Sequence, residues 1–513
     1  MPARAPVISF ETAFSFENKH LTHTINCARK YRVGAPFPRD PDRNIEDMGA
    51  VAQALEAIIS EAIDAGVTLR AAGGAWSLSD VAFPGDWLLD TFSLNLKWRM
   101  RRENVLNAYA GDFDKLYLFQ CGNSIDEVNT RLERDGNSLS TCGASNGQTI
   151  AGAVSTGTHG SAFQYGSMTR YIAGIHLVAG PGNTIWLEPA TSPVVTTAFA
   201  DALGARLVQD DEMFNAALVS FGSFGIIAGI LIAAEPKYEL ECKRQRILLK
   251  DGLREVMDTL TLENIALPHP GKMPWHFEVT FNPHDLDCGG YVRTMYKSIF
   301  DENRPANPPK PNGSIGPGEG LLSVISGIAG IGDAAAVGKI VGLLVKSNLP
   351  VDGPDQKPFT GACSEVFTTT FLRGKAMSME LGIALEDSTK VLDLIQSLHP
   401  EVDVYAGVIS YRWVKSGPEL LGWTKFPITA TIEFNAAHNS RTIDFYRRLW
   451  QALQDNNIDF TLHWGQMSEF TPALLRKMYG VSVDKWKDCR KRLMTDASQA
   501  VFTNDFMKRC GLD

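Results

Sequence analysis

Between Ser140 and Gly166 the chain reads STCGASNGQTIAGAVSTGTHGSAFQYG, without one charged side chain. So many small residues let a backbone lie close against a flat or phosphorylated ligand, with amide and hydroxyl groups available as donors. A second small-residue turn, RAAGGAWS over 70–77, follows a β-like run at Val67–Ala71. Two such loops suit an extended ligand, one gripping a diphosphate and the other lying along a ring system. Tight turns between strands would account for the shorter loop by itself, but the longer run asks for a ligand.

The surrounding sequence alternates helical and β-like patterns. Met48–Ala65 spaces its apolar residues at helical intervals and stops at Gly66. Leu116–Gln120 reads as a strand, and Ser124–Arg134 as a helix opening on a serine able to cap it. Tyr171–Ala179 and Thr184–Leu187 flank Gly180-Pro181-Gly182-Asn183 as a hairpin. Asp211–Phe221 reads as helix and Ile226–Ala234 as a buried strand. From Pro236 onward, strands such as His276–Phe281 mix with helices at Leu253–Leu260 and Lys390–Leu398. A Pro/Gly-rich linker, 304–320, opens an insertion, and Val483–Leu493 is a charged helix near the end.

Composition removes several classes of function. With 49 Lys+Arg against 58 Asp+Glu the net charge is −9, which gives no electrostatic basis for a nucleic-acid or anionic-membrane partner. The eight cysteines form no CxxC pair and no zinc-like spacing, so no metal is expected. Scattered thiols and a first stretch without a signal-peptide apolar core point to the cytoplasm. The segment 320–347 is long enough to cross a bilayer, but it carries Asp333 and Lys339 near its middle. A buried helix or an apolar lid suits it better, and a lid would favour a hydrophobic substrate. Within it, Gly330-Ile331-Gly332-Asp333-Ala334-Ala335 imitates a dinucleotide fingerprint, yet Asn348-Leu349-Pro350 breaks the chain before a second strand can form.

Four motifs in order resemble the vanillyl-alcohol-oxidase-type flavoproteins with a PCMH-type FAD domain, and within them the aldonolactone and alditol oxidase branch related to type II cholesterol oxidase. They are RAAGGAWS (70–77), TIAGAVSTGTHG (149–160), DEMFNAALVSFGSFGIIAGI (211–230) and His463-Trp464-Gly465, and the ending with Phe502-Thr503-Asn504-Asp505-Phe506 also fits. The resemblance implies an α+β fold. A two-subdomain FAD-binding domain spans 1–235 and is completed by 475–513. A substrate domain, 236–474, has a mixed or antiparallel sheet flanked by helices and an insertion at about 304–358.

The same resemblance implies FAD held by Ala72, Gly73, Gly74, Ala75, Trp76 and Ser77 in the first loop. Gly143, Ala144, Thr149, Gly152, Ser155, Thr156, Gly157, Thr158 and His159 hold it in the second, with Ile226, Ile227 and Arg412 completing the set. Where the branch often carries a flavin-linked histidine this chain has Trp76, whose indole lacks a basic nitrogen, so the flavin is expected to be non-covalent. Cys142 stands roughly where related proteins have a second, cysteinyl attachment; a small buried thiol is its plainer role. The branch's Glu-x-Arg pair is matched by Ser410-Tyr411-Arg412, keeping the arginine and losing the carboxylate.

Arg412 would stabilise negative charge on the reduced flavin. Glu433, sharing a strand face with Thr431 and Asn435, would replace the carboxylate. His463 is the other candidate for the proton, while Asn435 and Gln466 would contact substrate. Gly143 falls where a side chain can block dioxygen. The expected activity is oxidation of a hydroxyl-bearing carbon of a small, conceivably apolar, substrate by hydride transfer to flavin N5. Dioxygen is the expected acceptor, giving hydrogen peroxide. A dehydrogenase with another acceptor, a flavin-binding protein without turnover and an NAD-linked reductase are the alternatives.

Overall fold

The helix Asn44–Ala65 starts one turn before its apolar periodicity and buries Val51, Leu55, Ile58, Ile59 and Ala62. Gly66, at φ +64°, ends it. The structure, a computed structural model, describes residues 5–34, 44–305, 307, 343, 351–353, 356–367, 376–398, 405 and 407–513. The apolar segment 320–347, apart from Leu343, and the fingerprint imitation inside it lie outside the described residues, as does most of the expected insertion.

Three large sheets organise the described chain, beside a two-stranded pairing of Asn137–Ser138 with Glu235–Pro236. The first has four strands in the order Val7–Glu17, Thr24–Gly34, Trp87–Asp90, Leu69–Ala72, the last three mutually parallel. The second has six strands with Ile226–Ala233 near its middle, between Ile172–Val178 and Leu116–Gln120. That central strand is apolar throughout because both its faces are covered. The hairpin Ile172–Val178 with Thr184–Glu188 turns at 180–183, where the Asn183 amide donates to the Gly180 carbonyl (3.1 Å). The helix Ile125–Arg134 opens with the expected serine: Ser124 Oγ accepts from the Glu127 amide, and the Glu127 carboxylate accepts from the Ser124 amide. Such a reciprocal cap stabilises a helix by about 1 kcal/mol.

The third sheet is antiparallel, with eight strands in the order Phe359–Ala362, Tyr238–Ile247, Gly290–Ile299, His276–Phe281, Gly407–Lys415, Ile428–Ala437, Ala376–Ala384, Phe460–Leu462. The architecture is therefore α+β, as expected. Strand residues alternate between faces. Register then stacks Glu278 opposite Arg412, Thr280 opposite Ser410, and Glu433 opposite both Ser410 and Glu380. One face of four adjacent strands thus becomes a polar wall.

The expected helix Asp211–Phe221 is shorter, ending at Leu218, since Phe221 and Gly222 adopt left-handed backbone angles (φ 56° and 69°). The last helices fold back onto the first half of the chain. Trp486 Nε1 donates to the Val219 carbonyl (3.1 Å), and Asn504 donates to the carbonyls of Val81 and Phe83. No helix among the described residues is long and apolar enough to cross a membrane.

Candidate functional site

A long cavity joins three loops to the polar wall. One side is the turn 71–78, another the run 142–161, a third the turn around Phe221–Ile227; the wall supplies Glu278, Glu380, Arg412, Glu433 and their neighbours. The small residues are required by close packing. A Cβ on Gly73 would lie 2.1 Å from Thr149 Oγ1, and one on Gly74 would lie 2.7 Å from the Gly147 carbonyl oxygen. Thr149 in turn caps the short helix Ile150–Ser155, its hydroxyl accepting from the Gly152 amide. The Trp76 indole covers Gly147, and its carbonyl accepts a hydrogen bond from Nε2 of buried His20 (3.0 Å). Burial lowers His20 to about 4, so the ring is neutral at pH 7.

At the polar wall, Arg412 lies among three carboxylates. Its Nη1 is 2.8 Å from Glu433 Oε2 and 3.5 Å from Glu380 Oε1, and its Nε is 3.5 Å from Glu278 Oε2. Arg293 pairs with the other oxygen of Glu278 at 2.6 Å. Burial works against the charge on Arg412, but Glu433, Glu278 and Glu380 outweigh it and hold the guanidinium above its usual range. Burial would likewise raise Glu380; His159, then Arg412 and His463, pull it down to about 2. Gln466 donates to Glu380 and Glu433 and accepts from Ser378, so each carboxylate has partners.

The two histidines differ. Nε2 of His159 faces Glu380 Oε1 at 3.0 Å and Nδ1 faces the Gly160 carbonyl at 2.8 Å. Both ring nitrogens of His159 thus face acceptors. In His463, Nδ1 accepts from the Gly465 amide (2.9 Å), which leaves Nε2–H as a donor and makes the ring neutral. Burial lowers His463 to about 4. Its basic nitrogen being occupied, His463 is placed to donate a hydrogen bond rather than to take a proton.

Nearly all the residues named from sequence meet in this cavity: Ala72–Ser77, Gly143, Ala144, Thr149, Gly152, Ser155, Thr156, Thr158, His159, Ile227, Arg412, Glu433, Asn435, His463 and Gln466. Two do not. Gly157 turns away at φ +71°, its carbonyl accepting from the Trp423 indole (2.8 Å). Ile226 precedes Ile227 on a strand, so alternation sends its side chain to the opposite, fully buried face. Glu380 and Glu278 were not foreseen. Each is the lone carboxylate of a largely buried strand, AMSMELGIA and HFEVTF, and a charge there requires a partner across the sheet.

The expectation of a hydrophobic substrate rested on 320–347, outside the described residues; the described wall is polar and charged. Cys142 is buried, with Sγ 3.4 Å from Sγ of Cys363. Among the described residues no cluster of three or more His, Cys, Asp or Glu is arranged to hold a metal.

Loops closed to a Cβ at Gly73, Gly74 and Gly147 face a wall that manages buried charge, and residues 50–188 match the family model described as FAD binding domain. This region is an FAD-binding domain of the PCMH type, and the glycine-lined loops at 73–74 and 143–147 fit the dinucleotide. The chain is 26% identical over 203 residues to D-arabinono-1,4-lactone oxidase of Yarrowia lipolytica, covering 39% of this chain and 34% of that protein. It is 27% identical over 210 residues to the protein of the same name from Debaryomyces hansenii, covering 40% and 34%. The chain thus spans about a third of the length of these curated relatives.

Its fold is that of cholesterol oxidase from Brevibacterium sterolicum (TM-score 0.68, 14% identity, 98% of this chain and 97% of that one). A solvent-stable cholesterol oxidase gives 0.66 at 14% identity, covering 98% of each chain.

Proposed function

We propose that this chain is an FAD-dependent oxidase that converts a CH–OH group of a small hydroxyl-bearing molecule to a carbonyl. The observation that carries the reading is one continuous cavity with glycine-lined dinucleotide loops at one end and the Arg412–Glu433–Glu380 cluster at the other. FAD, held by the loops 71–78 and 142–161, would supply a two-electron acceptor for hydride that dioxygen can reoxidise to give hydrogen peroxide. Glu433, with one oxygen on Arg412 and the other near Gln466 and Ser378, takes the hydroxyl proton as the carbonyl forms. Arg412 stabilises the negative charge that accumulates beside it. Nε2–H of His463 and the side chains of Asn435 and Gln466 orient the substrate oxygens, and the relatives' lactones and sterols are the first compounds to test.

In this reading 1–235 with 475–513 is the FAD-binding domain and 236–474 the substrate domain. All eight cysteines carry free thiols, which supports a place in the cytoplasm. Trp76 supports a non-covalent flavin. Acid precipitation should leave the yellow colour in solution; colour in the pellet would point to His20 or Cys142 as an attachment point. The activity is tested by anaerobic mixing with candidate alcohols, sugars, lactols and sterols. Bleaching of the flavin band by one of them, with peroxide on admission of air, supports the oxidase. Bleaching without reaction with air means a dehydrogenase with another acceptor, and no bleaching by any compound means a flavin-binding protein.

A further inference from the structure

Arg70 and Arg490 are each only 2% exposed, and neither makes an ion pair among the described residues. Arg70 sits in the strand Leu69–Ala72 that leads into Gly73-Gly74. Its Nε and Nη2 donate to the Val81 carbonyl (2.9 and 2.7 Å), and its Nη1 donates to those of Gly222 and Phe502 (3.3 Å each). Arg490 donates to the carbonyls of Ser223 (3.0 Å) and Gln499 (2.8 Å) and to Thr503 Oγ1. Val81 and Gly222 line the cavity, so the Arg70 guanidinium stands directly behind its wall, while Arg490 holds Ser223 inside the same turn, 221–225, one step further back.

Two like charges buried this close oppose one another, and carbonyl dipoles only partly replace the lost water. Burial, then Arg490, lowers Arg70 to about 9 against the favourable pull of Asp80; burial lowers Arg490 to about 10 against that of Asp513. Both remain charged at pH 7. The front of the wall has the opposite shortage. Among the described residues its only Arg or Lys side chains are Arg293 and Arg412, both in the antiparallel sheet and both engaged by carboxylates. A dianion held by the glycine turns would therefore meet backbone donors but no cationic side chain.

We infer that Arg70 and Arg490 are positioning residues that form a buried cationic backing for the diphosphate of the dinucleotide. They act through the wall they brace. The inference rests on the FAD reading above and assigns the charge that site lacks. It predicts that the two arginines discriminate between flavins by their phosphates. A purely structural role would weaken every flavin alike.

The test is titration of flavin-stripped protein with FAD and with riboflavin, which carries no phosphate, at low and at 0.5 M salt, following flavin fluorescence. Arg70→Met and Arg490→Met should weaken FAD by about tenfold or more, as loss of one charge at short range does. Riboflavin should change by less than about twofold, and the salt dependence of FAD binding should shrink. Arg70→Lys and Arg490→Lys should retain most of the FAD preference. Equal loss of FAD and riboflavin, or no loss of FAD, overturns the inference. Should both Met variants fail to fold, the wild type decides: inorganic pyrophosphate competing with FAD but not with riboflavin supports the backing, and no competition overturns it. A wild type that binds neither flavin defeats the FAD reading itself, a separate outcome.

Discussion

Nη1 of Arg412 lies 2.8 Å from Oε2 of Glu433, across two neighbouring strands whose register sets Arg412 opposite Thr431 and Glu433 opposite Ser410. The pair is a diagonal contact on one sheet face, with both side chains turned into the cavity. Glu278 and Glu380 complete the arginine's surroundings from the flanking strands. The guanidinium therefore holds three carboxylates in place at the cavity wall.

Removing that cation should be costly in two ways. Arg412→Ala should slow anaerobic flavin reduction by roughly 10²–10³, the usual effect of deleting an electrostatic stabiliser. It should also lower folding stability by about 3–5 kcal/mol, because buried carboxylates lose their partner. Stopped-flow reduction and a denaturant melt measure the two effects. Reduction at the wild-type rate would place Arg412 outside the mechanism.

Glu433→Gln keeps the shape of the side chain and removes its basicity. Turnover should fall more than affinity if Glu433 takes the hydroxyl proton. Steady-state kcat and KM against the best substrate of the screen separate the cases. A raised KM with unchanged kcat would make Glu433 a binding residue.

Gly143 is a candidate gate for dioxygen. Its backbone is outside the left-handed region, and an added Cβ would meet Thr158 Cγ2 at 3.1 Å and no other atom closer than 3.6 Å. A turn angle therefore does not demand glycine there. Gly143→Val should slow reoxidation of the reduced flavin by air while substrate reduction stays near normal. Lost FAD binding or misfolding in this variant would count against the gate.

Acid should weaken the fold well before carboxylates titrate in water. His20, His176 and His463 are lowered to about 4 and His276 to about 3, in each case chiefly by burial. The unfolded chain takes up these protons below about pH 6.5 and the folded chain only below about 4, so stability falls across that window. The slope approaches about 1.4 kcal/mol per pH unit for each histidine. Glu380, held at about 2 against an ordinary 4.5, adds stability present above pH 4.5 and lost as pH falls toward 2. Urea melts at pH 7, 6 and 5 should show falling midpoints; constant midpoints would mean the histidines are not buried neutral.

Local pattern carried far in this chain. The glycine turns at 73–74 and 143–147, the Ser124 cap, the strand His276–Phe281 and the face shared by Glu433 and Asn435 are all readable from neighbours in sequence. Each depends on backbone geometry or period-2 alternation within a few residues. The helix from Asp211 ends at Leu218, ahead of a left-handed turn at Phe221 that a non-glycine residue does not announce.

What the sequence determined by itself was the kind of element at each position and the loops able to lie against a dinucleotide. The tertiary structure alone decided which strands became neighbours, and so which charges met. His159 and Glu380 are 221 residues apart in sequence, and their bond exists only because the antiparallel sheet is laid against the loop that follows Thr158. The same holds for Arg70 and Phe502, separated by 432 residues. Strand order and register depend on the burial of whole sheet faces, a quantity summed over distant segments that no local window of residues contains.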